Sequence, residues 1–259
     1  MVIEIRPITP EEQDEFRRVA STALVMSATF EGLQPEWTTC AFEDGKLATT
    51  MGAWPLTMNM NGVDAKVSGV TAVGTIPAYR RRGYLRNIMG RHFQKLYEKG
   101  EYSMAALYAS RAAIYQRFGY GVVATYQSYT VEPRYIQFTL PHTVSGKLRE
   151  AGDKDFEALE SVYSKFREPR TGYLHRNKAM WDHGIFGGMP PNGSLNKVIY
   201  EENGIPLGYV IYSMFQPQSG GPPSGARMWI RDLAWLNFSA YRAIWEHFIN
   251  MDLIQEFYW

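Results

Sequence analysis

Between Val70 and Met89 the chain reads VTAVGTIPAYRRRGYLRNIM, with Arg80, Arg81, Arg82, Gly83 and Arg86 set between a strand-like run and a helix-like one. That order of residue types suits the holding of a phosphate group. The first-turn amides of a helix have no partners inside the helix, and the macrodipole adds positive potential there, so backbone N–H groups can hold a pyrophosphate. Gly83 has no Cβ and lets the chain approach closely, while the arginines supply cationic donors, some of them turned to solvent. An isolated RRRG is more often a solvated surface turn. Here a strand and Pro77 come before it and an amphipathic helix after it, which is the context such a site needs. Competing nucleotide motifs fail. No G-x-G-x-x-G opens a helix, and Gly146-Lys147 is followed by Leu148, where a P-loop needs Ser or Thr.

The elements that must position these residues are legible as periodicities. A strand over Val2 to Arg6 leads to Thr9 as an N-cap, with Pro10 at the first helical position and Glu12 three residues after the cap. Cys40 to Phe42, Leu47 to Trp54 and Lys66 to Thr75 read as antiparallel strands separated by Asp44-Gly45 and Asn61-Gly62 turns. Leu85, Ile88, Met89, His92, Phe93, Leu96 and Tyr97 then fall at helical spacing, with Gly100 where a C-cap belongs. A strand over Met104 to Ala109, a short helix over Ala112 to Phe118 and a strand over Val122 to Val131 follow.

From Val144 the order starts again, with a strand at Lys147 to Glu150, Asp153 as an N-cap and a helix carrying Phe156, Leu159, Val162, Tyr163 and Phe166. Strands over Val198 to Tyr200, Leu207 to Met214 and Met228 to Leu236, a flexible QPQSGGPPSG connection from Gln216, a helix over Ser239 to Asn250 and a last strand over Leu253 to Trp259 complete the copy. The expected division is residues 1–141 and 142–259. The second half lacks the Arg-Gly loop, so it is expected to bind no pyrophosphate and to shape an acceptor pocket or an oligomer contact. It also stops one strand after its helix, an expectation of a truncated second copy.

The bulk numbers agree with a packed, two-domain protein of 259 residues, 45% of them hydrophobic and 20% charged. Lys and Arg number 27 against 26 Asp and Glu, so no global field draws the chain to nucleic acid or anionic lipid. The lone Cys40 cannot form an internal disulfide, and the start of the chain carries no basic-then-apolar signal. No apolar run is long enough to span a bilayer. A cytoplasmic protein is expected, and the histidines show no metal-binding spacing.

YRRRGYL resembles the R-x-x-G-x-[GA] pyrophosphate signature of the GNAT superfamily of N-acetyltransferases, with Leu85 where many members have Gly or Ala. SRAAIYQRFGYG, Ser110 to Gly121, is similar to a second signature, a short helix holding a Tyr ahead of a Gly-aromatic pair. The spacing of the two segments resembles that of the enhanced intracellular survival (Eis) family, tandem-domain enzymes that acetylate aminoglycosides and other amines. The resemblance implies an α/β (α+β) fold of tandem GNAT domains, each a mixed sheet flanked by helices, the second degenerate and the family's C-terminal sterol-carrier-like domain lacking. It implies acetyl-CoA as co-substrate, no metal, and a small cationic amine as acceptor. Val73 and Thr75 would bond the acetyl and pantetheine groups through their backbone with Gly74 between them. Arg81, Arg82, Gly83, Tyr84, Leu85 and Arg86 would hold the phosphates, and Ser110 and Arg111 would flank the cofactor.

The same resemblance singles out Tyr115 among 17 tyrosines. Attack of an amine on a thioester gives a tetrahedral intermediate that must expel a thiolate, and a positioned phenol can protonate the departing sulfur. The base is not visible. In the family a terminal carboxylate after a third domain has that role, which Trp259 does not inherit. Acidic stretches at Glu11 to Glu15 and Glu31 to Glu36 would attract a cationic acceptor, and solvated helix faces explain them equally. Two other classes compete: a non-catalytic acyl-CoA-binding sensor or scaffold, and a nucleic-acid binder acting through Arg80 to Arg86.

Overall fold

The computed structural model describes residues 2–27, 30–190, 193–216 and 225–259. The chain forms two compact units, Met1–Ala124 and Thr125–Trp259, each around its own sheet. In the first, β1 (Ile3–Arg6), β2 (Cys40–Glu43), β3 (Lys46–Met60) and β4 (Val63–Thr75) lie antiparallel in that order. Asp44-Gly45 and Asn61-Gly62 all take positive φ, the conformation of two-residue turns whose twist suits the flanking strands. α1 (Gln13–Leu24) joins β1 to β2, and the Glu12 carboxylate accepts from the Thr9 amide at 2.9 Å, as a capping box requires. α2 (Tyr84–Lys99) carries the chain to β5 (Met104–Ala106), which lies parallel to β4. α3 (Ala112–Tyr115) and one 3-10 turn (Gln116–Phe118) follow.

Successive strand residues point to opposite faces, and the burial follows that period. Cys40, Phe42 and Leu47 pack under Phe16, Val19 and Ala20 of α1. Their neighbours Ala41 and Ala48, with Met51 and Val70, pack under Tyr84, Ile88 and Met89 of α2. Each large apolar side chain so buried is worth about 2 kcal/mol, which is what holds a helix on each face.

The second unit repeats the order. β7 (Lys147–Glu150), α4 (Phe156–Arg167), β8 (Ser194–Glu202), β9 (Ile205–Phe215), β10 (Ala226–Trp235), α5 (Phe238–Ile249) and β11 (Ile254–Tyr258) give an antiparallel sheet whose last pair, β10 and β11, is parallel. Ile199, Tyr209 and Ile211 face α4, and Val198, Val210 and Tyr212 face α5.

Four features differ from the expected elements, the first being that β5 ends at Ala106 rather than Ala109. The strand expected over Val122 to Val131 shrinks to β6 (Thr130–Val131) and pairs with β11 of the second sheet, reinforced by reciprocal Tyr129 and Trp259 backbone hydrogen bonds of 2.6 and 2.9 Å. That pairing covers the outer edge of the final strand. Gly152, not Asp153, precedes the first turn leading into α4, because the Asp155 carboxylate reaches back to the Gly152 amide at 2.8 Å. A π-helical turn, Met180–Ile185, has no counterpart in the expected elements. Residues 217–224 of the QPQSGGPPSG connection lie outside the described residues. Among the described residues no helix is long and apolar enough to cross a membrane.

The free thiol of Cys40 is fully buried in the α1 face of the first sheet, and burial pushes it up to about 12. Thiolate is the reactive form. The native protein should therefore resist iodoacetamide at pH 8, with one alkylation per chain emerging only in denaturant, a difference read by intact mass.

Candidate active site

The site begins where β4 loses one neighbour. β4 pairs with β5 only over Val67–Gly69, yet it stays paired with β3 as far as Thr75. Beyond Gly69 its other edge carries backbone groups without a strand partner, and the two parallel strands form a fork. A bulge sits inside the fork. Ala72 takes φ 52, and the register slips between Thr50↔Gly74 and Gly52↔Thr71, so β4 holds one residue more than β3. The Thr50 hydroxyl donates to the Ala72 carbonyl at 2.8 Å and stabilises the irregularity.

The Ile76 amide donates to Ala48 O at 3.1 Å, so by the alternation of an antiparallel ladder Gly74 also faces β3, and Thr75 and Val73 face the open edge. Val73 is half-buried in the cluster under α2. Gly74 packs so close to α1 that a Cβ there would lie 2.7 Å from the Ala23 Cβ. Its lack of a side chain serves that approach. The Thr75 carbonyl is partly engaged, accepting from Arg80 Nε at 3.1 Å.

Past Pro77 the chain turns through Arg81, at φ 65, and Gly83, at φ 84, into α2. Left-handed backbone is natural to glycine, and it leaves the helix start with no side-chain cap. The first intrahelical bond is from Asn87 N to Gly83 O, which leaves the amides of Tyr84, Leu85 and Arg86 as donors at the positive end of a four-turn helix. Arg81 and Arg86 are exposed beside them.

Arg82 and Tyr84 do something else. Arg82 donates to both oxygens of Glu43 at 2.6 and 2.8 Å and to Ala78 O at 3.0 Å. The Tyr84 hydroxyl donates to the same carboxylate, and its ring is buried. Tyr84 and then Arg82 hold the Glu43 carboxyl below its ordinary value. Glu43, at the end of β2, thus ties down the loop whose amides face outward. Leu85 is half-buried in the α2 cluster. Glu43 carried no signal in the sequence, because an acid before a turn is ordinary.

Tyr115 ends α3, 7% exposed. Its ring meets Tyr120 edge to face at 5.9 Å, and Tyr120 meets Phe93 of α2 at 6.0 Å, so a chain of rings fixes α3 against the helix that starts at the loop. Burial raises the Tyr115 phenol, which keeps it protonated at neutral pH. Ser110 and Arg111 precede α3 and are exposed. Deeper in, Ser68 on the last paired stretch of β4 lies 3.0 Å from His92 Nε2. Both are buried, and this contact fastens α2 to the base of the fork.

The second unit has the same fork without the donors. β10 pairs with β11 only over Ala226–Trp229 and bulges after Ile230. The start of α5 is closed by its own cap, Asn237 Oδ1 accepting from Ala240 N at 2.8 Å.

Residues 4–123 match a model of the acetyltransferase (GNAT) domain, and residues 172–259 match a second model of the same description. The chain belongs to the GNAT acetyltransferase superfamily, as two tandem domains. It is 29% identical over 211 residues to an uncharacterized N-acetyltransferase of Streptomyces coelicolor, covering 79% of this chain and 50% of that one. It is 29% identical over 164 residues to the N-acetyltransferase Eis of Mycobacterium tuberculosis, covering 56% of this chain and 40% of that one. The chain spans about half the length of the curated relatives it matches. Among solved structures, the fold is shared with a GCN5-related N-acetyltransferase from Anabaena variabilis, at TM-score 0.86 and 20% identity over 100% of this chain and 65% of that one. Eis1 from Mycobacterium abscessus gives TM-score 0.75 at 26% identity over 99% of this chain and 65% of that one.

Burial, then the charge of Lys95, push His92 from 6.5 down to about 4. The folded state holds it neutral while the unfolded chain protonates near 6.5, so stability falls as pH drops from about 6.5 toward 4 and levels off below. The loss from this group is about 3 kcal/mol. Urea unfolding at pH 7 and pH 4 should show that loss in wild type and a smaller one in His92→Gln.

Proposed function

We propose that this protein is an acetyl-CoA-dependent N-acetyltransferase that transfers the acetyl group to a primary amine of a small cationic acceptor, of aminoglycoside or polyamine type. The observation that carries the reading is the coincidence, in one unit only, of an open β4 edge and an uncapped helix start, with a buried phenol tied to the same helix through Phe93. The names of the relatives support the transfer chemistry.

The amides of Tyr84, Leu85 and Arg86 face the pyrophosphate, with Arg81 and Arg86 adding charge, while Gly83 leaves room for the approach. Arg82 and the Tyr84 ring act indirectly, by holding the loop on Glu43. The edge groups of Val73 and Thr75 run alongside the pantetheine, Thr75 once Arg80 releases its carbonyl, and Ser110 and Arg111 flank the same cofactor. Bound acetyl-CoA supplies an activated thioester. Amine attack develops charge on the carbonyl oxygen and then on sulfur, and the Tyr115 hydroxyl supplies the proton that lets the thiolate leave.

Thiol release from acetyl-CoA with a panel of aminoglycosides and polyamines tests this reading. Tyr115→Phe should lower kcat by about 10²–10⁴-fold, the usual worth of a general acid, with KM for acetyl-CoA within about twofold of wild type. A variant as active as wild type would remove Tyr115 from the mechanism. Arg86→Ala should weaken acetyl-CoA binding by about tenfold, equivalent to ~1.4 kcal/mol, in a calorimetric titration. Wild type that binds acetyl-CoA but releases no thiol with any amine would favour a binding module instead.

A further inference from the structure

Tyr120 follows the proposed acid by one turn, in the Phe118-Gly119-Tyr120 corner. Its ring is held between Tyr115, at 5.9 Å and 72° between planes, and Phe93 of α2, at 6.0 Å. Its hydroxyl is buried and has no hydrogen-bond partner among the described residues. A phenylalanine would pack the same way without burying an unpaired donor, and a buried polar group left unpaired costs free energy that a catalytic role can explain. The ionisable group packed against its ring, close enough for the two charges to feel each other, is Tyr115, whose own hydroxyl makes no hydrogen bond among the described residues.

We propose that Tyr120 is a positioning residue for the acid: its hydroxyl donates to the Tyr115 oxygen as Tyr115 gives up its proton. The inference rests on the reading of Tyr115 as the acid. In that step the new bond from amine nitrogen to carbonyl carbon is in place, the carbon–sulfur bond breaks and sulfur keeps the electron pair. Sulfur takes the proton from Tyr115, which becomes a phenolate. The proton lost by nitrogen passes to water, and the phenolate recovers one from water. An ordinary phenol near 10 giving its proton to a thiolate near 8.5 works against a gradient of about 30-fold, and burial raises Tyr115 further. A donor aimed at the nascent phenolate offsets that gradient, because hydrogen bonds to a charged acceptor are about twice as strong as neutral ones. Burial, then the nearness of Tyr115, push Tyr120 up to about 12, so it keeps its own proton and acts as donor only.

The full chain as wild type, Tyr115→Phe and Tyr120→Phe separates the outcomes. Turnover is followed by thiol release from acetyl-CoA with spermine and with kanamycin. The ionisation of Tyr115 is followed by NMR of ring-labelled tyrosine, its signal identified by its loss in Tyr115→Phe. Tyr120→Phe should lower kcat by about 10- to 100-fold, leave KM for acetyl-CoA within about twofold, and move the Tyr115 titration about one unit higher. Its melting temperature should equal or exceed that of wild type, since a buried unpaired hydroxyl is removed. An unchanged Tyr115 titration overturns the proposal even if neither amine is turned over. If Tyr115→Phe is inactive while Tyr120→Phe matches wild type, this inference alone falls. If Tyr115→Phe keeps full activity, the acid assignment falls with it.

Discussion

One constraint organises the first unit: β4 keeps its hydrogen bonds to β3 as far as Thr75 but parts from β5 after Gly69. A strand edge inside a domain is normally paired, because unpaired backbone groups cost free energy when water is withdrawn. The departure here is stabilised by identifiable contacts. Thr50 holds the bulge at Ala72, α1 presses on Gly74, and the Ser68 to His92 contact fastens α2 at the base of the opening. Glu43 then anchors the loop that leads from the open edge to α2. Two sets of backbone donors, one on β4 and one at the start of α2, are left facing outward by a rigid frame.

The second unit shows what the same frame becomes when the polar groups are turned inward. Its bulge brings Arg231 onto the carbonyl of Ile185 at 2.6 Å and onto Gly187. Next to it Asp232 accepts from Arg176 at 2.6 and 3.1 Å and from the Tyr209 hydroxyl at 2.6 Å. Arg176 also lies over the Tyr163 ring at 3.7 Å. Buried ion pairs of this kind add little net stability but are costly to break, so this half is committed to a fixed interior. With Asn237 closing α5, it offers an anion nothing comparable to the Gly83 turn.

Much of this was legible in the sequence. The Asp44-Gly45 and Asn61-Gly62 turns, the helical spacing from Leu85 to Tyr97 and the repeat of the element order from Lys147 all rest on local chemistry, and all reappear in the structure. The second half's lack of an Arg-Gly loop was legible too, while the Asn237 cap in its place appears only in the structure. What was not legible depends on distant pairings. Nothing near Thr130 announces that it will join β11. The partners of Arg82 and Tyr84 are set by Glu43, about forty positions earlier, so two arginines that look alike in RRRG have different surroundings. Tyr120 reads as a packing aromatic until its hydroxyl is seen to lack a partner among the described residues.

In the proposed function a single fork, in the first unit, holds the cofactor. Amide hydrogen exchange of the whole chain with and without saturating acetyl-CoA tests it most directly. New protection of about tenfold or more is expected at Val73, Thr75 and Tyr84 through Arg86, with the amides of Phe238 through Tyr241 unchanged. Protection centred on the start of α5, or none at the start of α2, would contradict it.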